Sequence, residues 1–548
     1  MTQTYDPNQQ PRHRVHFAPN EFALYIEHDE NLTPRNIIGQ IKERHNLFAD
    51  IIPFDATQFD PDRVVTFNRG ERRAEGQLQR FSLVFARVVE PERRDELEFL
   101  VLLAHINDKI RDLPYGQGAF RIRQATANWF SGGAPEPDGS GGPGSRPVPP
   151  DPATISTLQL NPVELPAELG LETTLAERGA CANIFILDTA PCEVDLKRAY
   201  RKWVDEPLSN TNAQPDDTPY NRLLDNLIGP NGALGYIYDA PRIEYAGYSH
   251  LLELANTFLP DHDYVMSDHG LFVASIINRI APAARLHLVE VLNPYGVGTL
   301  ETITRGFERA ANFALENTGA VVLVNASLFF EFPPTDTVLL ELLAQEDPFW
   351  ANVYESMADK IPLLIEPFEA VCNLLDQQLT RVIAAAGNDG KETVDGSGQV
   401  IQKHPDARYP ARYDSVVGVA ALNYAGDMAP YSNEADFPVS VGLAAFGGDK
   451  VGDLADPNRG VLGLYIGSFP NGAANKQGLA RWSGTSFATP VVTGIFAALA
   501  CGGIAPLASG AMPPHASDHI APGDVLGYIN SKLGNHRTSS GTTEVTDS

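Results

Sequence analysis

The sequence predicts an α/β protein, three layers built on a parallel central sheet, preceded by a small α+β domain of ferredoxin-like kind. Three observations predict it. The runs Cys181–Thr189 and Arg381–Asp389 are apolar on both faces, as buried parallel strands are, and each ends on polar residues. The segments Ser267–Ile277 and Val491–Ala500 carry apolar residues over helical lengths. Ahead of them, residues 21–130 alternate short strand and helix patterns and end at a stretch rich in Gly, Pro and Ser.

In that first part the pattern reads strand Phe22–Glu27, helix Pro34–His45, strand Asp50–Phe54, strand Phe81–Val89, helix Glu92–Asn107 and strand Ala119–Phe130. The second helix sets Leu97, Leu100, Val101 and Ala104 on one face. A βαββαβ order of this kind suggests a ferredoxin-like sheet. Residues 1–20 read as disordered. Residues 131–153 read as a linker, too poor in apolar side chains to order themselves and open to proteolysis. The large α/β domain is expected over 154–505, followed by a tail, 506–548, with one short helix at Asp524–Leu533.

The chemistry concentrates at element ends. In Arg481-Trp-Ser-Gly-Thr-Ser-Phe-Ala-Thr-Pro490, Ser486 stands at the mouth of the apolar helix, where N–H groups and the helix dipole stabilise charge developing on an oxygen. Asp188 ends the first apolar strand, in the place where open α/β sheets gather functional groups. His269 opens a helix whose Phe272, Val273, Ile276 and Ile277 are apolar, and Asn388 follows the second apolar strand. In chain order these supply a carboxylate, an imidazole, an amide and a hydroxyl. Asp188 would hold His269 in one tautomer, His269 would take the proton of Ser486, and Asn388 would donate to the oxyanion. Other candidates fit this chemistry less well. His262, between Asp261 and Asp263, reads as a solvated turn, His287 as a strand surface residue, Asp389 as a turn residue and Asn325 as a strand-end cap.

The order Asp, His, Ser and the blocks around it resemble the subtilisin-like serine proteases, the subtilase family. Ile186-Leu-Asp-Thr189, His269-Gly270 with Val273-Ala274, Ala384-Ala-Ala-Gly-Asn388 and Gly484-Thr-Ser-Phe-Ala-Thr-Pro490 are similar to its Asp, His, oxyanion and Ser blocks. The resemblance spans about 178–502 and implies a serine endopeptidase working through an acyl-enzyme on Ser486, with no cofactor required for catalysis. Structural calcium recurs in the family; the acidic pair Asp216-Asp217 is noted, and no metal site is assigned. Asn325-Ala-Ser-Leu328 resembles the substrate-binding strand, which makes Ser327, Leu328, Phe329 and Gly387 the candidate substrate-binding residues. Such proteases commonly carry an N-terminal propeptide. Residues 21–130 would then be an intramolecular chaperone and inhibitor, with Thr126–Phe130 leading into the cleft and self-cleavage near 126–152. A partner-binding module is the rival reading for this domain.

The chain also departs from the family pattern. Ala190, Phe329 and Phe330 stand where glycines are usual, and Leu271 where a small polar residue is. Phenylalanines in the wall of the P1 pocket would narrow or reshape it, or project away. They keep a second reading open, a catalytically impaired protease-like protein used for binding or regulation.

Composition narrows the partners. Residues 1–130 carry 17 Lys+Arg against 19 Asp+Glu, so nearly all of the net −28 falls in the remainder, which disfavours nucleic acid as a ligand. A protein or peptide substrate is expected. The first ten residues lack the apolar core of a secretory signal, and no apolar run reaches membrane-spanning length, so a cytoplasmic location is expected. From Cys181 the strand to Asp188 spans ~23 Å at ~3.3 Å per residue, too far for Cys192 to return within the ~7 Å a bridge allows. All four cysteines, Cys181, Cys192, Cys372 and Cys501, are therefore expected as free thiols. Two insertions, Arg201–Met266 and Glu331–Thr380, are candidate lids; the second contains helical patterns at Thr337–Gln345 and Pro367–Gln378.

Overall fold

The computed structural model describes residues 16–29, 32–44, 57–70, 78–89, 95–111, 120–132, 145–151, 174–202, 219–229, 232–233, 265–330, 332–378, 380–394, 399–435, 442–501 and 543–544. The expected strand Asp50–Phe54, the His262 and Asp216-Asp217 positions, most of the first insertion and the tail helix lie outside them.

The N-terminal part runs β1 (Phe17–His28), α1 (Pro34–Arg44), β2 (Thr57–Asn68), β3 (Arg80–Val88), α2 (Glu96–Arg111) and β4 (Phe120–Gly132). Its antiparallel sheet has the order β2-β3-β1-β4, so β3 and β4 flank the first strand and β2 lies at the edge, the ferredoxin-like arrangement. β1 begins at Phe17 and Ser131 and Gly132 belong to β4, so the ordered unit overruns both boundaries expected at 20 and 131.

The large domain continues through β5 (Ala182–Asp188), α3 (Glu193–Tyr200), α4 (Pro219–Ile228), α5 (His269–Ile280), β6 (Arg285–Glu290), β7 (Val297–Thr299), α6 (Leu300–Glu316), β8 (Val321–Ala326) and β9 (Phe329–Phe330). Helices α7 (Thr337–Glu346), α8 (Phe349–Met357) and α9 (Ile361–Gln377) fill the second insertion. Then follow β10 (Thr380–Ala385), the hairpin β11 (Lys391–Val394) and β12 (Val400–Lys403), β13 (Val416–Leu422) and β14 (Leu443–Phe446). The small pair β15 (Lys450–Val451) and β16 (Leu454–Ala455), the pair β17 (Val461–Leu464) and β18 (Leu479–Trp482), helix α10 (Thr485–Cys501) and β19 (Thr543–Glu544) complete it.

The central sheet is parallel throughout, in the order β19-β14-β13-β10-β8-β5-β6. Alternation along each strand divides its side chains between two cores. Phe185, Leu187, Val322, Val324, Val382 and Ala384 face one layer with Phe307 of α6 and Phe368 of α9. Ile184, Ile186, Leu323, Ile383 and Val417 face the other with Phe272 of α5 and Val492 of α10. The three-layer α/β domain follows from this division.

The N-terminal sheet packs on α6 and α9, through β2 and β4, and its core is continuous with theirs. Polar bonds fix the docking. Arg63 bridges Glu21 of its own domain (2.8 Å) and Glu301 of α6 (2.6 Å), and Thr126 donates to the carbonyl of Leu364.

Cys181 and Cys501 form a disulfide, with Cα atoms 5.5 Å apart, whereas Cys192 and Cys372 are free. The expectation of four free thiols is thus corrected for one pair. It weighed only the neighbours 181 and 192, and the actual partner lies 320 residues away at the far end of α10. Read this way, the cysteines no longer argue for the cytosol, because such bridges persist in oxidising surroundings. No described helix is long and apolar enough to cross a membrane.

Candidate active site

The site lies where the carboxyl ends of β5, β8 and β10 meet the amino ends of α5 and α10. Asp188, the last residue of β5, is fully buried. Its carboxylate accepts from Nδ1 of His269 at 2.7 and 2.9 Å and from the N–H of Thr189 at 2.7 Å. A carboxylate accepts only, so Nδ1 carries the proton and Nε2 presents its lone pair. That Nε2 is buried and has no hydrogen-bond partner among the described residues.

Gly270 makes this approach possible. A Cβ there would lie 2.2 Å from the carbonyl oxygen of Thr189 and 2.9 Å from Cβ of Asp188, so any other residue would push α5 off the end of β5. Trp482 and Phe487 wall the imidazole, each with its ring centre 5.2 Å away. Phe487 belongs to the first turn of α10, next to Ser486.

Ser486 is held by its backbone. Pro490 stands four residues on and has no N–H, so the Ser486 carbonyl lacks its helical partner. The hydroxyl of Ser327 replaces it, donating to that carbonyl at 2.8 Å, while the Ser486 hydroxyl points to the Ser327 carbonyl at 3.4 Å. Asn325 donates to Ser327 Oγ at 2.9 Å and accepts from Thr493 at 2.9 Å. Asn325 is therefore a buried brace between β8 and α10, where the sequence suggested a strand-end cap.

Asn388 is oriented by the same helix start. Its Oδ1 accepts from the N–H of Thr485 (2.9 Å) and from Thr485 Oγ1 (3.1 Å), which identifies the carbonyl end of the amide by chemistry. The NH2 end is the donor. Asp268, the residue before His269, turns away from it: Oδ2 accepts from the N–H groups of Ile466 (2.8 Å) and Gly467 (2.5 Å), and burial pushes the carboxyl up to about 6. His287 is half-buried against Phe185, and burial pushes it down to about 4. Asp389 is paired with Arg408, bidentate, at 2.8 and 2.6 Å.

Residues 260–501 match the family model described as Subtilase family. Over this span the chain is similar to the subtilase family. Asp188 lies outside the matched span, and its bond to His269 ties β5 to the subtilase segment. The halolysin of Haloferax mediterranei is 30% identical over 167 residues, covering 30% of this chain and 24% of the halolysin. The chain thus spans about a quarter of that curated relative. Among solved structures, a lanthipeptide protease is similar at 19% identity over 51% of this chain and 73% of its own, TM-score 0.33. The prenylagaramide maturation protease PagA is 27% identical over 43% of this chain and 66% of its own, TM-score 0.27. The patellamide maturation protease PatA is 27% identical over 43% and 65%, TM-score 0.26.

The candidate substrate-binding residues of the subtilase segment divide. Ser327 braces Ser486, Leu328 is buried in the core, and the Gly387 carbonyl accepts from Asn433 N–H at 3.0 Å. Phe330 projects away, stacked on Phe332 at 4.8 Å, whereas Phe329 faces β4. β4 lies antiparallel to both β7 and β9: Phe130 opposes Thr299, and Gly132 opposes Val297 and Phe329. Residues 145–151, expected as linker, are anchored on β18, with Val148 paired to Arg481 and Ser145 Oγ bonded to Ser483 N–H at 3.0 Å. Thr485 and Trp482 lie in the Ser486 block without a residue-level signal for these contacts, and no local sequence signal marked Arg408.

Proposed function

We propose that the protein is a serine endopeptidase that hydrolyses peptide bonds through an acyl-enzyme on Ser486. The observation that carries this reading is the buried His269, bonded to Asp188 through Nδ1 and with its Nε2 unpartnered among the described residues beside the first turn of α10. Ser486 Oγ attacks the scissile carbonyl as Nε2 takes its proton, and Asp188 stabilises the imidazolium. The oxyanion accepts from Asn388 Nδ2 and from backbone N–H at the helix start. The amine leaves with the proton from Nε2, and water activated by the same nitrogen releases the acid. Nucleophile, base and donors all come from the chain, so no step calls for a cofactor.

The N-terminal domain is read as an intramolecular inhibitor. Its strand β4 fills the space between β7 and β9 that an extended substrate would take, and Ser486 beneath is buried. Gly132 is anchored in that groove, and Ser145 is bonded to Ser483, three residues before Ser486. Self-cleavage near 126–152 follows.

The test compares purified wild type with Ser486→Ala by intact mass and N-terminal residue. Wild type is expected to yield fragments from that region and Ser486→Ala to stay full length. Identical fragments in both would remove the autoprocessing reading.

A further inference from the structure

We propose that the cleft selects glycine at the strand position facing Phe329, and that the stack of Phe329, Arg408 and Asp389 is the selecting element. The proposal rests on the endopeptidase reading above and adds its substrate preference. In an antiparallel pair, directly opposed residues project to the same face of the ribbon, so Gly132 and Phe329 meet. The Phe329 ring closes over Gly132: a Cβ built there would lie 3.0 Å from Cζ and 3.5 Å from Cε2. The ring is not at liberty to yield. The Arg408 guanidinium lies 4.6 Å from its centre, and that guanidinium is fixed by two hydrogen bonds to Asp389. Asn433 holds the second carboxylate oxygen at 2.8 Å, and the Arg408 N–H is bonded to the Ala386 carbonyl at 2.8 Å, tying the stack to the strand before Asn388. Phe329, Arg408 and Asp389 are 5%, 4% and 1% exposed, so the stack is a filled, closed wall.

The subtilase pattern has glycine on the enzyme side of this pair and leaves room for a substrate side chain. Here the bulk has moved to the enzyme, and the opposing strand supplies the glycine. Ser131, just before it, is small and donates to the Phe329 carbonyl at 2.9 Å. Substrates taken in the place of β4 are therefore extended segments with glycine opposite Phe329.

The test uses the full chain carrying Gly132→Val, Phe329→Ala or both, with Gly132→Ala as a milder version. In a Ser486→Ala background, amide exchange is read at Ser131–Gly132 and Phe329–Phe330. Gly132→Val is expected to speed exchange there roughly 10- to 100-fold, the size of forcing a side chain into a filled contact, and Gly132→Ala to do so less. Adding Phe329→Ala should return it to the level of Phe329→Ala alone. With Ser486 present, self-cleavage should slow by a similar factor in Gly132→Val and recover in the double variant. Wild-type exchange and cleavage in Gly132→Val, or no recovery on removing the ring, overturns the proposal. If wild type does not cleave itself, the autoprocessing reading falls, and the exchange arm still decides whether Phe329 excludes side chains.

Discussion

The hydroxyl of Ser327 donates to the main-chain carbonyl of Ser486 at 2.8 Å, in the place of the helical bond that Pro490 cannot make. One residue thus completes the backbone of Ser486, and it comes from the strand–loop that also leads into β9. Ser327→Ala leaves a buried carbonyl without its donor, which costs about 1–3 kcal/mol. The expected result is a lowered denaturation midpoint together with a fall in turnover. Unchanged stability and turnover would mean that the carbonyl finds another partner.

Asp268 gives the fold a pH dependence. Burial raises its carboxyl from the ordinary 3.8 to about 6, so the folded chain prefers the neutral form. That advantage is present below about 3.8 and is lost as pH rises through about 6, a change on the order of 3 kcal/mol at ~1.4 kcal/mol per pK unit. Asp268→Asn keeps an oxygen for the N–H groups of Ile466 and Gly467 and removes the charge. Its stability relative to wild type should therefore rise between pH 4 and pH 8 in denaturant titrations. A difference independent of pH would contradict this.

The Cys181–Cys501 bridge joins the start of the Asp188 strand to the end of the Ser486 helix. Replacing both cysteines by alanine is expected to cost about 2–5 kcal/mol, read as a drop in denaturation midpoint. Reductant should then lower wild type and leave the double variant unmoved. If wild type is insensitive to reductant while its thiols become titratable, the bridge does not stabilise the fold.

The sequence reveals the site more fully than its surroundings. Asp188, His269, Asn388 and Ser486 stand at the ends of apolar runs, and a polar residue at such an end is a local pattern. Strand β2 has no such pattern: it holds Asp60, Pro61, Asp62 and Arg63, lies at the sheet edge and is interrupted between Phe59 and Val64, so no expected element covers it. Helix α9 runs six residues ahead of the expected start at Pro367, because proline inside a helix looks like its beginning. The disulfide and the Phe329–Arg408–Asp389 stack are contacts between distant segments, set by packing, and leave no trace in any short window.

The most direct measurement is covalent labelling by a fluorophosphonate, with the modified residue mapped by mass spectrometry, on protein whose chain has been cut between Gly132 and Ser145. The account predicts a single adduct on Ser486, absent in Ser486→Ala and slowed in His269→Ala by the ~10³-fold or more that a missing base costs. Well-folded, cut protein that takes no label at Ser486, or that labels at full rate without His269, would contradict it.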